Sequence, residues 1–331
     1  MEKTRKSPLP VWILFILAPS IGELLSGSSP PAEFFNPFVT LLLGALYGSG
    51  AILVRELRVR WNKGWPTVLV LGAAYGIIEE GWMVKSFFDP AWMDLGLLGV
   101  YGRWAGVNWA WSLGLTIYHA VFSISIPILL VELLFPAHRD EAWLSRRGVI
   151  GFTTLLLVDV VFGYLALTPY RPPVLQYLLS IIVVFILIVI ARRLPVPTLA
   201  TSEAAPPRNY RLVILGFAAT LAFFICLWAL PNTALPALLT MLLIALVASL
   251  TWLGIQRLSQ HTALKDIHRL ALASGALSFF IVLAPLQQLD QTRPDNTAGM
   301  GLVGLAFLIL LVWLSRRIQK KPSLPQIQTV S

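Results

Sequence analysis

Ten apolar runs follow one another along this 331-residue chain, at residues 9–25, 38–54, 66–88, 110–135, 149–167, 174–190, 212–230, 235–255, 270–289 and 301–314. A bilayer core is about 30 Å thick, and a helix needs roughly 17–25 apolar residues to cross it. Lipid offers no water to backbone N–H and C=O groups, so such runs fold as helices that satisfy themselves. The sequence therefore predicts an all-α, polytopic transmembrane helix bundle of about ten spans. Charged residues make up 12% of the chain, against about 25% in soluble domains.

The basic residues predict an orientation. Cytoplasmic loops hold an excess of Lys and Arg. With the N-terminus inside, all but Lys85, Arg103, Arg171 and Arg293 of the 25 basic residues fall on the inner side, beginning with Lys3, Arg5 and Lys6. Both termini are expected in the cytoplasm, and the protein in the cell membrane as a multi-pass chain. The net charge of +9 does not point to nucleic acid, because the basic residues sit in short loop clusters rather than on one face. The expected partners are membrane lipids and a membrane-embedded or small-molecule substrate. Cys226 is the single cysteine, which excludes a disulfide framework and a Cys-based metal motif; no metal and no cofactor is assigned. The first run has a basic start but no A-x-A-like site after it, and Glu23 interrupts its end, so it reads as a retained helix.

Residues 194–211, with Pro195, Pro197, Pro206 and Pro207, read as a cytoplasmic linker. They divide a six-helix part (1–193) from an apolar four-helix scaffold (212–317), and residues 318–331 read as a disordered tail. The outer segment 89–109 combines Trp92, Trp104 and Trp109 with four glycines. It is expected to lie on the membrane as an interfacial helix, or to act as a flap over the bundle's outer mouth.

Ionisable residues inside the apolar runs are the candidates for function, since charge at membrane depth is costly. They are Glu23, Glu79, Glu80, His119, Glu132 and Asp159. At 1.5 Å per residue, Glu79 and Glu23 lie about 20 Å from the inner edge and His119 about 14 Å below the outer one. Acid and imidazole from three helices thus share the outer half of the membrane. Glu132 lies near the inner surface, where it is expected to snorkel. On the third run Gly72, Gly76 and Glu80 share one stripe, with Tyr75 and Glu79 beside it. The small-residue pairs Gly72/Gly76 and Gly44/Gly48 predict close approach of the second and third helices. On the fourth run Ser112, Thr116, His119 and Ser123 form one polar stripe, which must face protein or water. Adjacent Glu79 and Glu80 both need partners, and Lys85 is off their face, so His119 is the expected one. The expected catalytic set is Glu79, Glu80 and His119, with Glu23, Tyr75, Ser112, Thr116, Ser123 and Asp159 binding substrate or supporting it.

An acidic pair on one membrane helix and a histidine on the next resembles the glutamate-type intramembrane proteases of the CAAX-protease and bacteriocin-processing family, and more distantly the PrsW-type proteases. That family's Glu-Glu-x-x-x-Arg motif is met by Glu79-Glu80, with Lys85 one position late in place of Arg. Its Phe-x-x-x-His motif is met by His119, with Leu115 in place of Phe. Its later membrane histidine has no counterpart, since His138, His261 and His268 lie in or beside loops. The resemblance implies an intramembrane hydrolase in which a glutamate activates water beside His119, acting on a peptide or lipid. Ten spans with both ends inside also resemble the drug/metabolite transporter superfamily, which implies a proton-coupled transporter of a small solute. A non-catalytic membrane scaffold or receptor is the third reading.

Overall fold

The computed structural model describes residues 8–196, 207–259 and 264–320. Its main helices are α1 (Leu9–Leu25), α2 (Pro37–Arg60), α3 (65–83), α4 (Trp109–Leu134), α5 (Arg146–Ala166), α6 (Val174–Arg193), α7 (Asn209–Asn232), α8 (Ala237–Ser259), α9 (Asp266–Leu289) and α10 (Met300–Lys320). The protein is an all-α, multi-pass membrane bundle. Eight of these helices are long and apolar enough to cross a membrane, and α1 is a shorter apolar helix. Helices occupy all ten expected runs; α3 falls outside the eight because its Gly, Trp and Tyr residues and Glu79–Glu80 pair dilute its Val, Leu and Ile. Residues 197–206 of the expected linker, His261 and residues 321–331 of the expected tail lie outside the described residues. Residues 318–320, expected in the tail, belong to α10, which runs on to Lys320.

Two apolar clusters fill the interior. One joins α4, α7, α9 and α10 through Tyr118, Phe122, Phe224, Leu277, Phe280 and Phe307. The other joins α1, α2, α3 and α5 through Leu14, Tyr47, Ile52, Tyr75 and Val160. Glycines set the approach of α3 to α4: a Cβ on Gly72 would lie 2.8 Å from the Cα of Ala120, and one on Gly76 3.0 Å from the Cβ of His119. The expected seam between Gly44/Gly48 and Gly72/Gly76 does not form. Gly44 and Gly48 instead receive the Phe15 ring of α1, so each small-residue pair makes room for a different neighbour.

Glu132 does not snorkel. It is 1% exposed, because two guanidinium groups from α2 offset its charge. Arg58 Nη2 donates to its Oε1 at 2.8 Å and Arg55 Nε to the same oxygen at 3.4 Å. Arg55 is fully buried, lies 3.6 Å over the Trp143 ring, and donates to the carbonyl oxygens of His138, Arg139 and Glu141. These arginines fasten the segment after α4 to the end of α2.

The reading of residues 89–109 as an interfacial helix is also corrected. They form turns, a short 3₁₀ stretch at Gly96–Gly99, and a two-stranded antiparallel ribbon of β1 (Arg103–Trp104) and β2 (Val107–Asn108). Gly102 and Gly106 take φ of +76° and +77° there, conformations that a helix excludes and glycine accepts.

Candidate functional site

The first four helices each depart from α-helical winding where they carry a polar residue. π-helical stretches occupy Ser20–Leu25 in α1, Gly44–Gly48 in α2, Ile78–Met83 in α3 and His119–Ser125 in α4. A π turn holds an extra residue, alters the direction of the side chains around it, and is frequent at functional sites. Glu23, Tyr47, Glu79, Glu80 and His119 all lie within these stretches.

The widened turn of α3 lets both glutamates reach one imidazole. Glu80 Oε1 is 3.0 Å from His119 Nε2, and Glu79 Oε2 is 3.1 Å from Nδ1 on the other edge of the ring. The three residues are 8%, 4% and 1% exposed respectively. Ser123 Oγ, one turn further along α4, lies 2.9 Å from the same Nδ1. Ser123 therefore holds that nitrogen, and Glu79 Oε2 is a buried oxygen without a hydrogen bond of proper geometry. Glu80 is tied at its other oxygen by the Ser86 hydroxyl, which in turn accepts from Trp111 Nε1 at 2.9 Å.

Tyrosines enclose the ring. Tyr47, Tyr75 and Tyr118 place their ring centroids 5.9, 6.2 and 5.2 Å from that of His119. The Tyr47 hydroxyl donates to Glu23, which brings a third carboxyl group into the cluster. Tyr118 donates to the Gly22 carbonyl at 2.6 Å. Tyr118 also packs edge-on against Phe224 and Phe280, so α7 and α9 supply the apolar wall behind the site.

The other expected residues divide. Ser112 turns away and donates to the Asn108 carbonyl at 2.6 Å, closing the start of α4. Thr116 sits in the α3–α4 contact beneath Gly76. Asp159 of α5 is buried, but hydrogen-bonds to none of the Glu79–Glu80–His119 residues, and its Oδ2 has no hydrogen-bond partner. Lys85 points away from the glutamates: its ammonium donates to the carbonyl oxygens of Tyr164 at 2.7 Å and Thr168 at 3.0 Å. Its φ of +65° ends α3 sharply and brings Ser86 back onto Glu80. Tyr47, Ser86, Trp111 and Tyr118 were not singled out in the sequence; the Gly44/Gly48 pair that brackets Tyr47 was its only local signal.

Among the described residues, Glu79, Glu80 and His119 form one group able to hold a metal ion, each offering one ligand atom and all three atoms lying within 4.8 Å of one another. Residues 12–328 match the uncharacterized membrane protein family, and the chain belongs to it. No curated protein and no solved structure matches the chain.

Proposed function

We propose that this member of the family is an intramembrane hydrolase that cleaves an acyl bond of a membrane-embedded peptide or lipid. The observation that carries the reading is the buried imidazole flanked by a carboxylate on each edge, Glu80 at 3.0 Å and Glu79 at 3.1 Å. The partial likeness of Glu79-Glu80 and His119 to glutamate-type intramembrane proteases supports it.

Roles follow from what each oxygen already does. Glu80 is engaged at both oxygens, by His119 and Ser86, and so holds the ring. Glu79 Oε2 lies 3.1 Å from His119 Nδ1 but makes no hydrogen bond, and Glu79 is the general base. It takes a proton from water as the water oxygen adds to the substrate carbonyl carbon, and that proton leaves with the departing amine or alcohol. A positioned base of this kind contributes about 10²–10⁴ in rate.

A label carried by water tests this without the substrate being identified. Purified protein is reconstituted with native membrane extract in H₂¹⁸O, and products are searched for a carboxylate carrying one ¹⁸O. Wild type should form such a product, and Glu79→Gln and Glu80→Gln should slow it about 10²-fold or more. Labelling at the wild-type rate in both variants would overturn the reading.

Proton-coupled transport is the second reading. It is favoured by the run of protonatable groups that joins Glu23 and Tyr47 to Glu79, His119 and Glu80. Solute uptake into proteoliposomes that ignores an imposed pH gradient would remove it.

A further inference from the structure

We infer that Glu79, Glu80 and His119 bind one divalent transition-metal ion, with Zn²⁺ the best-matched species. The ligand atoms lie within 4.8 Å of one another and all three residues are buried. Two carboxylates and an imidazole are a donor set that suits Zn²⁺ better than Ca²⁺ or Mg²⁺, which prefer oxygen alone.

Two further observations point to a cation. The first is Glu79 Oε2, buried and without a hydrogen-bond partner in the middle of the cluster. A carboxylate oxygen left bare in an apolar interior is costly, and a metal bond removes that cost. The second is charge. Glu23, Glu79 and Glu80 gather around a single imidazole, and among the described residues the ion pairs of Glu79 and Glu80 are with His119 alone. The nearest ammonium in sequence, Lys85, is spent on two carbonyl oxygens. One histidine supplies one positive charge to three carboxyl groups, and a cation would hold more of them ionised.

The surroundings match those of a metal ligand set. Ligating histidines bind through one nitrogen while the other is held by a second group, and ligating carboxylates are themselves hydrogen-bonded. Ser123 holds His119 Nδ1 at 2.9 Å and Ser86 holds one oxygen of Glu80, so His119 Nε2 and the other Glu80 oxygen, which face each other at 3.0 Å, are the pair an ion would enter between. Three protein ligands leave a fourth position open to water, as catalytic zinc sites do. What the ion does rests on the hydrolase reading: a bound water would be the nucleophile, and Glu79 would act as ligand in place of base.

The experiment loads the detergent-purified full chain, stripped with chelator, using ZnCl₂ alone, and counts zinc per chain by elemental mass spectrometry after dialysis. One ion per chain is expected. Glu79→Gln should weaken binding strongly, and Ser86→Ala, which leaves every ligand in place, should weaken it about 10-fold or more. CoCl₂ in place of ZnCl₂ should give visible absorption bands on wild type that Ser86→Ala shifts, which covers the case of a ligand variant that misfolds. Less than a tenth of an ion per chain on wild type, or equal zinc on wild type, Glu79→Gln and Ser86→Ala, would overturn the inference. Its failure is separable from that of the hydrolase reading: stripped protein that binds no zinc yet hydrolyses at full rate sinks the ion alone. Stoichiometric zinc on a chain that forms no ¹⁸O-labelled carboxylate sinks the hydrolase alone.

Discussion

Removing the charge of Glu132 should be among the most damaging single changes in this protein, although the residue lies well away from the Glu–His cluster. Glu132 is 1% exposed and accepts from Arg58 at 2.8 and 3.3 Å and from Arg55 at 3.4 Å. Glu132→Gln keeps the shape and deletes the charge that two buried guanidiniums face. Breaking a buried pair from one side costs about 3–5 kcal/mol. Arg55 would still have Glu56 and three carbonyl oxygens, whereas Arg58 would face no carboxylate and keep the Arg139 carbonyl at 3.2 Å and the Trp65 ring at 5.7 Å. Most of the loss therefore falls on Arg58, and the expected cost is about 3 kcal/mol, the lower end of that range. Reversible unfolding in bicelles measures it. The paired variant Arg58→Met with Glu132→Met should cost less than Glu132→Gln alone, because it removes the stranded charge together with its partner. A Glu132→Gln protein within about 0.5 kcal/mol of wild type would refute the argument that this ion cluster holds α2 to the end of α4.

Three further outcomes follow from particular contacts. Gly72→Ala would set a methyl group against the Ala120 backbone and should cost about 1–3 kcal/mol; Gly151→Ala, with nothing within 4 Å, should be neutral or stabilising by up to about 1 kcal/mol, and equal effects at the two sites would contradict the packing of α3 on α4. Tyr47→Phe removes the donor to Glu23 and should destabilise by about 1 kcal/mol, the net contribution of a typical intramolecular hydrogen bond, with unchanged unfolding counting against the link. In the α9–α10 connection, the hydrogen bonds from Arg293 hold the Asp295 carboxyl below its ordinary range. The stability this pair adds is present above the unfolded-state value near 4 and is lost as pH falls through the lower folded value. An acid-melting curve should therefore be flatter for Asp295→Asn than for wild type, and superimposable curves would exclude the pair.

The class of fold and the identity of the acid–imidazole set were legible in the sequence because both rest on composition along single helices. Apolar runs announce spans whatever their neighbours do, and Glu79, Glu80 and His119 stand out because lipid tolerates few such residues. What was not legible depends on winding and on partners from elsewhere. Regular α-helical spacing puts Glu79 and Glu80 about 100° apart, and nothing local announces the π turn that lets both reach His119. Gly44 and Gly48 showed that something packs closely on α2, but only the fold reveals that it is Phe15. Glu132 read as an interfacial acid because its cations, Arg55 and Arg58, are more than 70 positions away in sequence. Asp159 satisfied the same rule of costly burial as the glutamates, yet on α5, which packs against the π stretches of α2 and α3, it makes no hydrogen bond to Glu79, Glu80 or His119.

The four π turns also explain why so many polar residues crowd this region without hydrogen-bonding the carboxyl groups or the imidazole. An i→i+5 turn disturbs the helical ladder, and in lipid each disturbed carbonyl must find another donor. The donors are present. Gly22 O receives the Tyr118 hydroxyl at 2.6 Å and Ser26 Oγ at 2.9 Å, and Ala120 O receives Ser125 Oγ at 2.7 Å. Tyr118, Ser26 and Ser125 are thus required by the winding, while Tyr47, Ser86 and Ser123 are required by the carboxyl groups and the imidazole. The π stretch Ile225–Ala229 in α7 provides the internal contrast, since it carries no titratable group apart from Cys226 and Leu227 packs against Gly114. A π turn alone therefore does not make a site in this fold. What distinguishes α1 to α4 is that four such turns meet, each delivers a polar side chain to the same imidazole or its partners, and the carbonyl oxygens of Gly22 and Ala120 are taken up by hydroxyl donors nearby.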